Sequence, residues 1–168
     1  STLRSPFGVR NVKVYWDEIP FTDPGGNTYL NQLSYFNFNS IEVIKGPAGS
    51  LYGAGTGGAI LINSNVVHPE PGLMVNLSYG SYDHSNINVQ FNQGKDKFRN
   101  TLTYLHQQSD GYRDHTSMRR DVATWQTKIS SGKKQSLQFN FLYGDLFYET
   151  PGALTKAEYQ KDPRASRP

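Results

Sequence analysis

The sequence predicts a mixed fold: a small α/β module over residues 1–65, then an antiparallel β-meander over residues 72–168. Three observations predict it. Residues 1–65 mix short apolar runs with glycine punctuation. From residue 72 the apolar residues recur every second position, the period of a strand with two unlike faces. Between them, Val66-Val67-His68-Pro69-Glu70-Pro71 sets two prolines within three residues, which resist both helix and central strand and read as a linker at 66–71.

In the first module, Val12-Lys13-Val14-Tyr15-Trp16 reads as a strand, Asp17 to Pro20 as a turn, and Ile41-Glu42-Val43-Ile44 and Ala59-Ile60-Leu61-Ile62 as two further strands. Pro47 opens a helical turn through Ala48 to Tyr52 that Gly53 ends, since proline suits the first helical position. In the second module about five strands follow, around Leu73–Tyr79, Ile87–Phe91, Phe98–Tyr104, Ala123–Ile129 and Leu137–Tyr143. Their connections fall at Gly80–His84, Gln93–Lys97, Ser109–Asp121 and Ser131–Lys134, short enough to pair neighbours antiparallel.

Composition limits the function classes. No stretch approaches the roughly 18 apolar residues of a spanning helix, but barrel strands of about 9–11 residues need an apolar side chain only at alternate positions. Aromatic residues form 13% of a chain that is only 36% apolar, a balance suited to strands and to a membrane interface. The net charge of +3 is too mild to point to nucleic acid. Arg119-Arg120 and Lys133-Lys134 read as loop charges. Cysteine is absent, which excludes a disulfide framework and thiolate chemistry.

The remaining motifs carry no chemistry. Gly53, Gly55 and Gly58 fit a GxGxxG string, but a dinucleotide site needs the strand before the glycines and the helix after them, the reverse of the order here. His68, His84, His106 and His115 lack metal-ligand spacing, so no metal site, catalytic residue or cofactor is expected. Asp110 and Asp114 read as solvated turn residues, leaving only a distant reading as a secreted hydrolase with catalytic loops at Asp110–Asp121. The sequon Asn76-Leu77-Ser78 sits inside a strand and is discounted. Periodicity alone leaves a soluble β-rich carbohydrate- or peptide-binding protein open, because alternation does not say whether the apolar face meets a core or lipid.

The run Ile41-Glu42-Val43-Ile44-Lys45-Gly46-Pro47-Ala48-Gly49-Ser50-Leu51-Tyr52-Gly53, followed by Gly57-Gly58-Ala59-Ile60-Leu61-Ile62, closely resembles the plug signature of TonB-dependent outer-membrane receptors, approximately I-E-V-x-R-G-P-x-S-x-L-Y-G and then G-G-x-I-N-I. Arg4 to Arg10 and Val12 to Pro20 resemble the segment before it. Asp110-Gly111-Tyr112-Arg113 and Thr150-Pro151-Gly152-Ala153-Leu154-Thr155 resemble early-barrel loops of the iron-siderophore and ferric-citrate branch. The resemblance implies that residues 1–65 are the C-terminal part of a plug and that residues 72–168 begin a transmembrane barrel of about 22 strands with a plugged lumen.

The same resemblance implies a bacterial outer-membrane receptor, surrounded by outer-membrane lipid, that takes up a scarce ferric chelate when the inner-membrane TonB complex pulls on a TonB box, a segment not found in this chain. A truncated piece of this kind is not expected to transport alone. Arg4, Thr22, Asp23, Tyr35 and Asn37, in the loops expected at the plug apex, are then ligand-facing. Lys45 stands where the family has an arginine that helps seat the plug; lysine keeps the charge but loses the bidentate fork. Glu18 replaces the family's glycine after the turn aspartate, so another turn type or an exposed charge is expected there.

Overall fold

The computed structural model describes residues 4–5, 8–9, 12–47, 49–53, 57–64, 70–95, 97–131 and 135–167. The chain divides into two compact units, Ser1–Pro69 and Glu70–Pro168. The expected linker at 66–71 lies outside the described residues except for Glu70 and Pro71.

In the first unit a short antiparallel pair, β1 (Arg4–Ser5) and β2 (Gly8–Val9), precedes a four-stranded sheet. That sheet holds β3 (Val12–Trp16), β4 (Ile19–Pro20), β5 (Phe38–Lys45) and β6 (Gly58–Ser64) in the order β4-β3-β6-β5. β6 runs parallel to β3 and antiparallel to β5, which makes the sheet mixed. Val12, Val14 and Trp16 alternate inward and meet Ile62 and Leu33 in a small core. The helical turn expected from Pro47 appears as α1 (Gly49–Tyr52), and Tyr15 donates a hydrogen bond from its hydroxyl to the Tyr52 carbonyl at 3.0 Å.

The segment expected as a plain turn from Asp17 to Pro20 is a tight hairpin, with Ile19–Pro20 paired back onto Tyr15–Trp16. Asp17 and Glu18 have φ of 49° and 69°, so both central residues are left-handed, as a type I′ hairpin turn requires. Glu18 therefore keeps the turn class that glycine would favour, at the cost of its Cβ clash. The hairpin is fastened by Asp17, whose carboxylate accepts from the Ser64 amide at 2.7 Å and the Ser64 hydroxyl at 2.6 Å.

Gly58 opens β6 at φ +127°, where a Cβ would stand 2.0 Å from the Ile44 carbonyl oxygen. The close approach of β5 to β6 needs glycine there.

The second unit is a meander of five strands in the order β11-β10-β9-β8-β7, followed by α2 (Lys156–Lys161). The strands are β7 (Gly72–Gly80), β8 (His84–Lys95), β9 (Phe98–Ser109), β10 (Met118–Ser131) and β11 (Gln135–Tyr148), all antiparallel to their neighbours. Every expected strand is present, and most are longer than expected. Arg119 and Arg120 lie inside β10 rather than in a loop, because Arg119 pairs with Asp145 across the ladder at 2.9 Å. Lys133 and Lys134 lie outside the described residues. Neither α2 nor β1 and β2 was expected from the sequence.

Two substitutions in the first unit test these backbone assignments with opposite signs. Glu18→Gly is expected to stabilise the fold by about 1 kcal/mol by removing left-handed strain. Gly58→Ala is expected to cost roughly 3 kcal/mol, because both φ and the space are wrong for a methyl. Urea unfolding followed through Trp16 fluorescence reads both.

Candidate functional site

The loops that follow the first unit's hairpin are built by local hydrogen bonds. Thr22 is buried: its hydroxyl accepts from the Val14 amide at 2.8 Å and lies 2.8 Å from the equally buried Thr28 hydroxyl. Asp23 closes the loop over Gly25–Gly26 by accepting from the Asn27 amide at 2.8 Å and the Asn27 side chain at 3.3 Å. The Asn27 amide is the main reason that its carboxyl is held below the usual range. Tyr35 is half exposed and stacks on Phe36 with centroids 4.4 Å apart, in a short 3₁₀ turn over Tyr35–Asn37. Asn37 is buried. Lys45 is exposed at the end of β5.

Of the residues expected to face a ligand, Asp23 and Tyr35 are thus accessible, while Thr22 and Asn37 are not. For Thr22 the cause is plain, since its hydroxyl is spent on the Val14 backbone amide instead of being presented to solvent. Arg4 lies in β1, paired with Val9.

The second unit carries the sharper signal, in which face is buried. On β8, Gln90 is 2% exposed and its neighbour Phe91 is 40% exposed; on β10, Gln126 is fully buried and Trp125 is 44% exposed. The pattern repeats across the sheet. Asn86, Asn88, Gln90, Thr101, Thr103, Thr124 and Gln126 are buried on one face together with the apolar pair Leu105 and Val122, which stand opposite each other. Leu73, Phe91, Leu102, Trp125 and Phe141 form one continuous row on the other face. This inverts the arrangement of a half-buried sheet in water. About a dozen half-exposed apolar side chains, at roughly 1 kcal/mol each, would forfeit about as much as the net stability of a whole domain.

The apolar run on this face is also oblique to the strands. Its lower edge lies at Leu73 and Phe91 on β7 and β8 but two pleats lower, at Phe98, Ile129 and Leu137, on β9 to β11. At the upper end Phe147 on β11 reaches the row of Tyr79, past Tyr143 in the row of Ala123, Tyr104, Val89 and Val75. Beyond that row stand His106, Asp121 and Asp145.

At the end of the meander where the longer connections lie, the loops interlock. Arg113 donates to the carbonyls of Pro151 at 3.3 Å, Gly152 at 3.2 Å and Ala165 at 2.9 Å. Arg164 donates to the Tyr112 carbonyl at 3.2 Å and lies over the Tyr112 ring, which packs edge-on against Tyr82. Glu149 accepts from the Ser117 hydroxyl at 2.7 Å, the main cause of its lowered pKa. The two segments singled out as loop motifs, Asp110–Arg113 and Thr150–Thr155, are therefore partners through Arg113, which spacing did not reveal.

Glu158 forms a capping box with Thr155 and binds Arg167, which with the Thr155 groups holds its carboxyl down to about 2. A depressed pKa stabilises the folded loop fully above the ordinary value near 4.5 and ceases to do so as pH falls toward 2. The segment 150–167 is thus expected to resist pepsin at pH 4.5 and to be cut increasingly toward pH 2, with Arg167→Ala shifting the onset to higher pH; peptide mapping by mass spectrometry checks it.

A family model described as the TonB-dependent receptor plug domain matches residues 4–60. The vitamin B12 transporter BtuB of Vibrio vulnificus strain YJ016 is 29% identical over 130 residues, which are 76% of this chain and 19% of that protein. The chain thus spans about a fifth of the length of this curated relative. Among solved structures, the ferric citrate transporter FecA in its unliganded form aligns with a TM-score of 0.72 at 20% identity, over 95% of this chain and 27% of that one. The ferric-catecholate import receptor Fiu of E. coli K12 aligns with a TM-score of 0.66 at 24% identity, over 85% and 21%. Pyoverdine-bound FpvA of Pseudomonas aeruginosa PAO1 aligns with a TM-score of 0.64 at 18% identity, over 85% and 22%. The matched proteins are transporters and receptors; residues 4–60 of this chain match the plug-domain model, and the chain shares its fold with the aligned parts of these solved structures.

Proposed function

We propose that the whole protein is an outer-membrane receptor that takes up a scarce ligand through a plugged barrel, with a ferric siderophore or ferric citrate as its cargo. The observation that carries the reading is the inverted alternation of β7–β11: the polar face is buried and the oblique apolar face is open, as a lipid-embedded barrel wall requires. The choice of a ferric chelate is supported by the structural neighbours, which include a ferric citrate transporter, a ferric-catecholate import receptor and a pyoverdine receptor.

In this reading residues 1–65 form the plug, 66–71 the linker and 72–168 the first five strands of the wall. Long loops face the exterior and short turns the periplasm, so Tyr82, Tyr112 and the 149–167 segment lie outside. Arg4, Asp23 and Tyr35 face the ligand, whereas Thr22 and Asn37 hold their loops in shape. Lys45 supplies charge that seats the plug. The TonB complex acts on a segment other than the one described, and no bond is made or broken.

A strain deleted for the whole receptor, grown on a panel of single iron sources, is expected to fail on one ferric chelate. Complementation with Tyr35→Ala is expected to restore growth while weakening binding of that chelate by about 3–10-fold, the value of one lost aromatic contact. Normal growth of the deletion strain on every iron source would falsify the cargo assignment.

A further inference from the structure

The lipid-facing reading of β7–β11 leaves one feature unexplained, a depression of about 380 Å³ in the outward face, lined by Phe91, Leu102, Tyr104, Ala123, Trp125 and Phe141. Its floor is Ala123, the smallest side chain in the row Val75–Val89–Tyr104–Ala123–Tyr143. Its lining is almost wholly apolar, and the nearest ionisable side chains, Asp121, His106 and Arg119, lie one and two pleats along the strands toward the long loops.

The two large walls are fixed through their polar atoms. Trp125 donates its indole N–H to Asn100 at 2.6 Å and packs edge-on against Phe139 at 5.3 Å. Tyr104 donates its hydroxyl to Asp121 at 2.7 Å, and Asp121 also meets His106 Nδ1 at 2.7 Å. A surface that merely contacts fluid lipid has no need of side chains held in one rotamer. A groove with pinned walls binds a flexible chain better, because the protein side loses no further freedom when the chain settles.

We propose that this groove is a site for one acyl chain of an outer-leaflet lipid, lying along β9–β10 over Ala123 and leaving the groove at the level of the Tyr104–Asp121–His106 cluster. The inference rests on the lipid-facing reading. The occupant follows from the position: the groove lies inside the apolar run, and of the buried polar face only Thr103 and Thr124 border it. Its upper end coincides with the first row of charges, where a chain must give way to its headgroup, and the ringed hydroxyl of Tyr104 stands at that boundary as interfacial aromatics do.

The test is photo-crosslinking. The whole receptor is reconstituted in phosphatidylcholine vesicles containing a small fraction of phosphatidylcholine with a diazirine on one acyl chain, and labelled positions are mapped by mass spectrometry. Labelling of Leu102–Tyr104, Ala123–Trp125 and Phe141 is expected to exceed that of Leu73–Leu77 by at least threefold. Ala123→Phe, which fills the groove, is expected to abolish that excess, and Ala123→Ser to keep it. Ala123→Leu serves the same purpose if the phenylalanine variant does not assemble, as judged by heat-modifiable electrophoretic mobility. Even labelling over the whole apolar face, or an excess that survives both filling variants, overturns the groove and leaves the lipid-facing reading standing. No labelling anywhere on β7–β11 overturns both.

Discussion

Everything in the second unit depends on the register of its ladders. With a side-chain period of two, a slip of one residue between β8 and β9 would turn Asn88, Gln90 and Asn92 outward and Ile87, Val89 and Phe91 inward. The observed pairing, Asn88 with Leu105 and Gln90 with Thr103, holds Asn86, Asn88, Gln90, Thr101 and Thr103 to one face and Ile87, Val89, Phe91, Leu102 and Tyr104 to the other. A membrane-facing sheet has no water to satisfy a misplaced amide, so every backbone group must find its partner within the ladder. Register therefore carries both the fold and the solvent.

The first unit solves a different problem with different means. Its core is small, a few buried residues such as Val12, Val14, Trp16, Leu33 and Ile62, and it is closed by specific polar contacts instead of area. Asp17 ties the β3–β4 hairpin to the end of β6, and Thr22 ties the following loop to β3 through Val14. Both contacts sit beside left-handed or glycine positions, where the backbone bends sharply enough to bring its ends together. Small modules of this kind gain their definition from a few satisfied buried groups.

Most of the strands are legible in the sequence, since Ile87–Phe91 alternates cleanly and Leu73–Tyr79 does so except at Met74, and the Ile41–Gly53 run resembles a plug signature. Strand ends were less legible. The β10 start at Met118 is stabilised by a partner 26 residues away in Asp145, beyond any local window. The candidate site was legible only by address: Thr22 and Asn37 belong to the loops expected to face outward, yet both are buried, because composition does not say whether a hydroxyl or amide is spent on the backbone. Arg113 lay in a noticed motif, but its three carbonyl partners come from a loop about 40 to 50 residues further on.

Alternation by itself does not separate a soluble sheet from a barrel wall; the register adds the level at which each strand's apolar run begins and ends. Once the rows are aligned, the lower edge of the apolar run descends by two pleats from β7 and β8 to β9–β11, while Gln93 and Lys95 lie below it on β8. A sheet packed on a soluble core has no reason for its apolar patch to shift with strand number, since the core presents no fixed plane. A slab of hydrocarbon does present one, and strands inclined to it must each enter and leave at a different residue. The slope of that boundary is a property of the sequence that becomes readable only through the pairing, and it ties the composition of individual strands to the tilt of the wall they build.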